Sequence, residues 1–225
     1  MKIVLLPGLD GTGMLFKPFI EALPKEIDAL IISYPSNEKL SYEELIELVV
    51  NQLPEEKFIL VGESFSGYIT YQVALRKPKN LKSVIFVATF LESPRPFLLG
   101  LSGWLPMSLL LSVPIPSYVV KTFLLGLAAN KKTIRLLKRS IKQVSPNVLS
   151  YRMQAIAMLR RNYQSCEIKA MYIQATDDKL VPKRCLENFK SVFNNISVFQ
   201  IEGSHFILQA NPLACAEVVA NEIAL

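Results

Sequence analysis

Phe58-Ile59-Leu60-Val61-Gly62-Glu63-Ser64-Phe65-Ser66-Gly67 sets four consecutive apolar side chains against a stretch of six in which four residues are glycine or serine, with Ser64 in the middle of that stretch. Four apolar residues without alternation read as a strand buried on both faces. The glycines and serines that follow permit a sharp turn, and a helix continues from it. Apolar runs of the same kind recur at residues 3–6, 29–33, 84–88, 170–175 and 196–200, with helical patterns between them. That alternation is the pattern of parallel strands joined by crossover helices, so six such runs predict an α/β fold. Ser41 with Glu44 three positions later is a capping box, which starts a helix through Leu45, Leu48 and Val49 that ends by Pro54. Pro182 and Pro212 stand where a proline favours a first helical turn.

The alternation stops between residues 93 and 166. The expected division is therefore a core made of residues 1–92 and 167–225, interrupted by a helical insertion at 93–166. This insertion holds 11 basic residues (Arg95, Lys121, Lys131, Lys132, Arg135, Lys138, Arg139, Lys142, Arg152, Arg160, Arg161) and no Asp or Glu. The remaining 14 basic residues face all 19 acids, so a chain of net charge +6 divides into +11 and −5. Residues 131–142 form a basic amphipathic pattern, with Ile134, Leu137 and Ile141 on one stripe and cations opposite. Such a face is either a solvated exterior or a dock for something acidic.

Composition removes several classes. With 225 residues, 51% of them apolar and 20% charged, the chain is long and apolar enough to bury a core and is not disordered. Three cysteines without a C-x-x-C pair give neither a disulfide framework nor a cysteine zinc site, and fit a reducing compartment. Only four apolar residues precede Pro7-Gly8, short of the core of a secretion signal, which predicts a cytoplasmic protein. Residues 96–120 carry no charge and are long enough to span a bilayer, but Pro106, Pro114 and Pro116 interrupt the hydrogen-bond ladder that hydrocarbon demands. A simple spanning helix is therefore not expected there.

A serine hydroxyl is a weak nucleophile until a base takes its proton, and the base needs an orienting group. The chain has one histidine, His205, just past the last predicted strand. Thr176-Asp177-Asp178-Lys179-Leu180-Val181-Pro182 follows the fifth strand and offers two carboxylates. Leu5-Leu6-Pro7-Gly8-Leu9-Asp10-Gly11-Thr12-Gly13 is a glycine-rich loop after the first strand. Loops of that kind also cradle phosphate, yet neither G-x-G-x-x-G nor G-x-x-x-x-G-K-[ST] is present, which argues against a nucleotide enzyme.

In this order the segments resemble the α/β-hydrolase superfamily. Gly62 and Ser64 match the first glycine and the nucleophile of its G-x-S-x-G elbow, while Ser66 stands in place of the second glycine. His205 falls where the superfamily keeps its base. The acid loop resembles D-x-x-V-P, a spacing that selects Asp178 and leaves Asp177 as second choice. Residues 5–13 look like the H-G-x-x-G oxyanion loop with Pro7 replacing the histidine, which implies the backbone N–H groups of Leu9 and Phe65 as oxyanion donors. The same loop is similar in wording to acyltransferase-like esterases such as the phytyl ester synthases. The insertion at 93–166 then takes the place of a helical cap.

The resemblance implies a serine hydrolase that cleaves a carboxylic ester or thioester through an acyl-enzyme, with no metal and no cofactor. Serine at the elbow argues against dehalogenases and epoxide hydrolases, which use aspartate there. Leu101, Trp104 and Leu109, in the leucine-rich part of the insertion, are candidates for lining an apolar acyl pocket. The basic insertion suits an acyl group delivered on acyl carrier protein or coenzyme A, as in the pimeloyl-carrier methyl ester esterases, or adsorption to an anionic membrane. No aromatic-rich basic motif points to nucleic acid. Two alternatives stay open: an acyltransferase of the same fold, and a small-ligand sensor without catalysis, for which Pro7 and Ser66 leave room.

Overall fold

The structure is a computed structural model of the chain, and it describes residues 1–95, 125–126 and 131–224. Strands β1 (Lys2–Leu6), β2 (Asp28–Ile31), β3 (Phe58–Glu63), β4 (Leu81–Val87), β5 (Lys169–Ala175) and β6 (Ile196–Ile201) form one sheet in the order β2-β1-β3-β4-β5-β6. Every neighbouring pair is parallel. A parallel sheet needs both faces covered because its crossovers run over them, and the period of two along each strand divides the core accordingly. Val4, Leu6, Leu60, Phe86 and Tyr172 pack on one face with α2 (Tyr42–Val50), α3 (Gly67–Leu75) and α6 (Cys185–Val192). Ile3, Leu5, Ile59, Val61, Ile85 and Ile173 pack on the other with α1 (Lys17–Ala22), the short α7 (Ile207–Ala210) and α8 (Pro212–Ala224). Each of these fully buried side chains is worth roughly 1.5–3 kcal/mol of transfer free energy.

All six expected strands are present, with different ends. The third runs on through Gly62 and Glu63, because those residues pair with Phe86 and Val87 of β4. The second stops at Ile31, two residues early. The capping box closes as expected: the Ser41 hydroxyl accepts from the Glu44 N–H at 3.2 Å and the Glu44 carboxylate accepts from the Ser41 N–H at 2.8 Å. Pro212 opens α8. Pro182 does not open a helix. It lies in a turn closed by the Cys185 N–H on its carbonyl at 2.9 Å, and α6 starts three residues later.

In the interval 93–166 the described residues form α4 (Lys131–Lys142), α5 (Pro146–Met158) and an isolated bridge between Cys166 and Phe193. Helix α4 buries Ile134 and Leu137 against Leu15 and Leu125, and all six of its cations are exposed. On α5 the buried residues are Val148, Leu149, Arg152 and Ile156. Arg152, counted above with the surface charge, is 2% exposed and does not belong to it. Leu101, Trp104, Leu109 and the uncharged run 96–120 lie outside the described residues. Among the described residues, no helix is long and apolar enough to cross a membrane.

Candidate active site

Because the strands are all parallel, the segments that follow β1, β3, β5 and β6 emerge at the same edge of the sheet, where open α/β sheets place ligands. Ser64 leaves β3 at φ 48°, a left-handed conformation that strains a residue with a Cβ. The surroundings hold it there. The Ser64 carbonyl accepts from the Gly67 N–H and from the Thr89 hydroxyl. A Cβ at Gly62 would meet Thr70, and one at Gly67 would meet Thr89, so both glycines are required for α3 and the end of β4 to close on the turn.

The Ser64 Oγ lies 2.9 Å from Nε2 of His205, and the His205 Nδ1 lies 2.9 Å from Oδ2 of Asp178. The other oxygen of Asp178 accepts from the Leu180 and Val181 N–H groups, each at 2.8 Å, which fixes the carboxylate in the plane it offers to the imidazole. Asp177 points elsewhere: its side chain is 68% exposed and faces Lys179 at 3.7 Å. Of the two aspartates, it is Asp178 that faces the imidazole. Burial alone would push the His205 imidazole below its ordinary range, but the charge and hydrogen bond of Asp178, with Glu63 behind, raise it instead.

The glycine-rich loop after β1 comes close to Ser64, with Gly8 so placed that a Cβ on it would sit 3.8 Å from the Cβ of Ser64. The Gly8 carbonyl accepts from the Gly11 N–H at 3.0 Å, so peptide planarity turns the Leu9 N–H to the opposite side. Phe65, the other expected donor, lies in the opening turn of the helical segment, where N–H groups lack intrahelical partners. Its ring is stacked on Tyr42 at 4.8 Å.

Ser66, the departure from the elbow pattern, is fully buried and wired in. Its hydroxyl donates to the Pro7 carbonyl, which leaves Tyr34 to donate to Ser66 across 2.6 Å. Two further residues escaped the sequence reading. Glu63 is 2% exposed and accepts from the Gln209 amide at 3.1 Å, and burial pushes its carboxyl up to about 7. A charged residue immediately before the elbow serine, at the end of an apolar strand, was the available signal. For Arg152 the signal was its place on the apolar stripe of α5, level with Val148 and Ile156. The arrangement can move a proton from a serine hydroxyl to an imidazole held by a carboxylate. Among the described residues there is no cluster of His, Cys, Asp and Glu able to hold a metal.

The family model of serine aminopeptidase S33 matches residues 41–198. Over 123 residues, 50% of this chain and 17% of the other, the sequence is 31% identical to the chloroplastic phytyl ester synthase 1 of Arabidopsis thaliana. Over 93 residues, 39% of this chain and 36% of the other, it is 27% identical to the pimeloyl-[acyl-carrier protein] methyl ester esterase of Proteus mirabilis. The chain therefore spans well under half the length of these curated relatives. The solved structure of a lipase-esterase related protein from Clostridium acetobutylicum superposes on 98% of this chain and 93% of its own, with a TM-score of 0.77 at 18% identity, and shares the fold.

Proposed function

The chain belongs to the serine aminopeptidase S33 family, within the α/β-hydrolases, and from that membership we propose that it is a serine esterase or thioesterase acting on an apolar acyl group through an acyl-enzyme. Ser64 is the nucleophile, His205 the base and Asp178 the residue that orients and charges the imidazole. The Ser64 oxygen attacks the acyl carbonyl as its proton passes to His205 Nε2. The Leu9 and Phe65 N–H groups stabilise the tetrahedral oxyanion. Its collapse breaks the bond to the leaving alcohol or thiol, which takes the proton from His205. Water, deprotonated by the same imidazole, then discharges the acyl-enzyme and returns the proton to Ser64. The observation that carries this reading is the continuous relay of two 2.9 Å contacts ending on a serine held at φ 48°.

Residues 93–166 are proposed as a cap over this site, with the apolar stretch around Leu101, Trp104 and Leu109 contributing the acyl pocket. The six exposed cations of α4 (Lys131, Lys132, Arg135, Lys138, Arg139, Lys142) favour an acidic carrier of the acyl group, acyl carrier protein or coenzyme A, over a neutral free ester. The likeness to a carrier-dependent methyl ester esterase supports the same direction. Discharge to an alcohol rather than to water is a second reading, favoured by the likeness to a phytyl ester synthase.

Labelling with a fluorophosphonate, followed by peptide mapping, tests the nucleophile without knowledge of the substrate, and modification at Ser64 is expected. Hydrolysis of p-nitrophenyl butyrate with and without added long-chain alcohol then partitions hydrolysis from transfer. Labelling at any other residue overturns the assignment.

A further inference from the structure

An oxyanion donor works only if its peptide is held still, and every carbonyl from Pro7 to Asp10 is held by a named partner. Ser66 donates to Pro7, and the Gly11 N–H to Gly8. The Leu9 and Asp10 carbonyls both accept from one atom, Nη1 of Arg152, at 2.9 Å and 3.0 Å. Nη2 of the same guanidinium donates to the Pro35 carbonyl at 2.9 Å, and the guanidinium carbon lies 5.6 Å from the centre of the Tyr34 ring. Tyr34 in turn bonds Ser66, so the two sides of the loop are linked through one buried chain of contacts.

Burying a cation is costly unless its donors are met. Arg152 meets three main-chain oxygens and forms no ion pair among the described residues. A planar fork bridging several carbonyls locks backbone orientation in a way a single ammonium cannot. The loop is shaped to receive it: Gly11 is at φ 69°, and a Cβ there would come within 2.5 Å of the guanidinium.

We propose that Arg152 is a positioning residue for the oxyanion loop, which it grips from α5 by the Leu9 and Asp10 carbonyls so that the Leu9 N–H is set for the reacting carbonyl. The consequence is a mechanical tie between the reactivity of Ser64 and the seating of the helical segment 131–158 on the core. The proposal rests on the esterase reading above and deepens it. A misplacement of about 1 Å in a catalytic donor costs on the order of a hundredfold in rate.

The test compares the wild-type chain with Arg152→Ala and Arg152→Lys on p-nitrophenyl butyrate, with thermal melting to establish folding. In folded Arg152→Ala, kcat is expected to fall roughly ten- to a hundredfold with KM within about twofold. The acid midpoint of the rate profile stays in place, since His205 and Asp178 are untouched, and millimolar guanidinium chloride restores part of kcat. The lysine variant falls between the two, and decides the matter alone if the alanine variant does not fold. Wild-type kcat in a folded variant, a change confined to KM, or a moved acid midpoint overturns the proposal while leaving the esterase reading standing. Absence of both ester hydrolysis and Ser64 labelling in the wild type removes that reading itself, and the proposal with it.

Discussion

Helices α4 and α5 follow one another in the same acid-free stretch, and they use their positive charge in opposite ways. On α4 the cations at 131, 132, 135, 138, 139 and 142 are all exposed, and the buried face is made of Thr133, Ile134, Leu137 and Ser140. On α5 the single cation lies on the buried face and holds a loop more than a hundred residues earlier in the chain. A charge count treats these residues alike. Their free energies differ, because a solvated guanidinium is stabilised by water whereas the buried one depends on the main-chain oxygens around it, the Tyr34 ring and the charge of Asp10. One helix therefore leaves its cations to solvent, and the other spends its cation on main-chain oxygens inside the molecule.

The comparison has catalytic meaning only if Ser64 is the nucleophile, and the largest expected effect tests that. Ser64→Ala should lose about 10³-fold or more in kcat on p-nitrophenyl butyrate, with no fluorophosphonate adduct by mass spectrometry. Unchanged turnover in that variant ends the discussion of both helices as parts of an enzyme.

Next in size is the contrast between the helices themselves. Arg152→Ala is expected to lose ten- to a hundredfold in kcat, as argued above from misplacement of a donor. Arg135→Ala, an equal loss of charge on α4, should change kcat on the same small ester by less than about twofold. Equal effects would erase the distinction between buried and exposed cations.

The reverse experiment probes the surface role. Lys132→Glu, Arg135→Glu and Arg139→Glu together should leave p-nitrophenyl butyrate hydrolysis unchanged. Affinity for an acylated acidic carrier protein at low salt should fall about tenfold, since steering by charge commonly spans 10- to 10³-fold in association rate. Titration by fluorescence anisotropy at two salt concentrations measures it, and a salt-independent, unaltered affinity leaves α4 as a solvated exterior.

The smallest expected effect is a pH displacement, and it touches neither helix. Only neutral imidazole accepts the serine proton, so the rate should fall with acid. The raised affinity of His205 for its proton places the acid midpoint above the ordinary imidazole value of about 6.5. An ionised Glu63 stabilises the imidazolium, so Glu63→Gln lowers the affinity and moves the midpoint to lower pH by a few tenths of a unit. Since Glu63 itself titrates near 7, the wild-type profile belongs to the pair and should be less steep in shape than the variant's. A variant midpoint at or above the wild-type value disproves this coupling.

Much of the fold was legible in the chain because a parallel sheet demands burial on both faces. The apolar runs at β1, β3 and β5 have few other ways to hide. The proposed triad was legible for a chemical reason, since one histidine leaves no choice of base and the acid of such a relay must come from a loop at the same sheet edge. The elbow serine was also named from its turn, although its strain is a property of the folded backbone at φ 48°. What remained hidden were contacts between distant segments. Ser66 looked like a flaw in a glycine pattern, and its hydrogen bonds to Pro7 and Tyr34 give it a purpose. Pro182 had the composition of a helix start, yet the chain first makes a turn there, closed by the Cys185 N–H on the Pro182 carbonyl, and α6 begins only at Cys185.

Local order along the chain thus determined the strands, the capping box of α2 and the candidates for nucleophile, base and acid, because hydrophobic period and side-chain chemistry act within a few residues. Tertiary structure set Asp178 rather than Asp177 against the imidazole, put Glu63 behind it, and drew Arg152 into the interior. Those outcomes depend on which oxygens and charges stand nearby once the chain has folded, and at separations such as the 143 residues between Leu9 and Arg152 no periodicity carries that information.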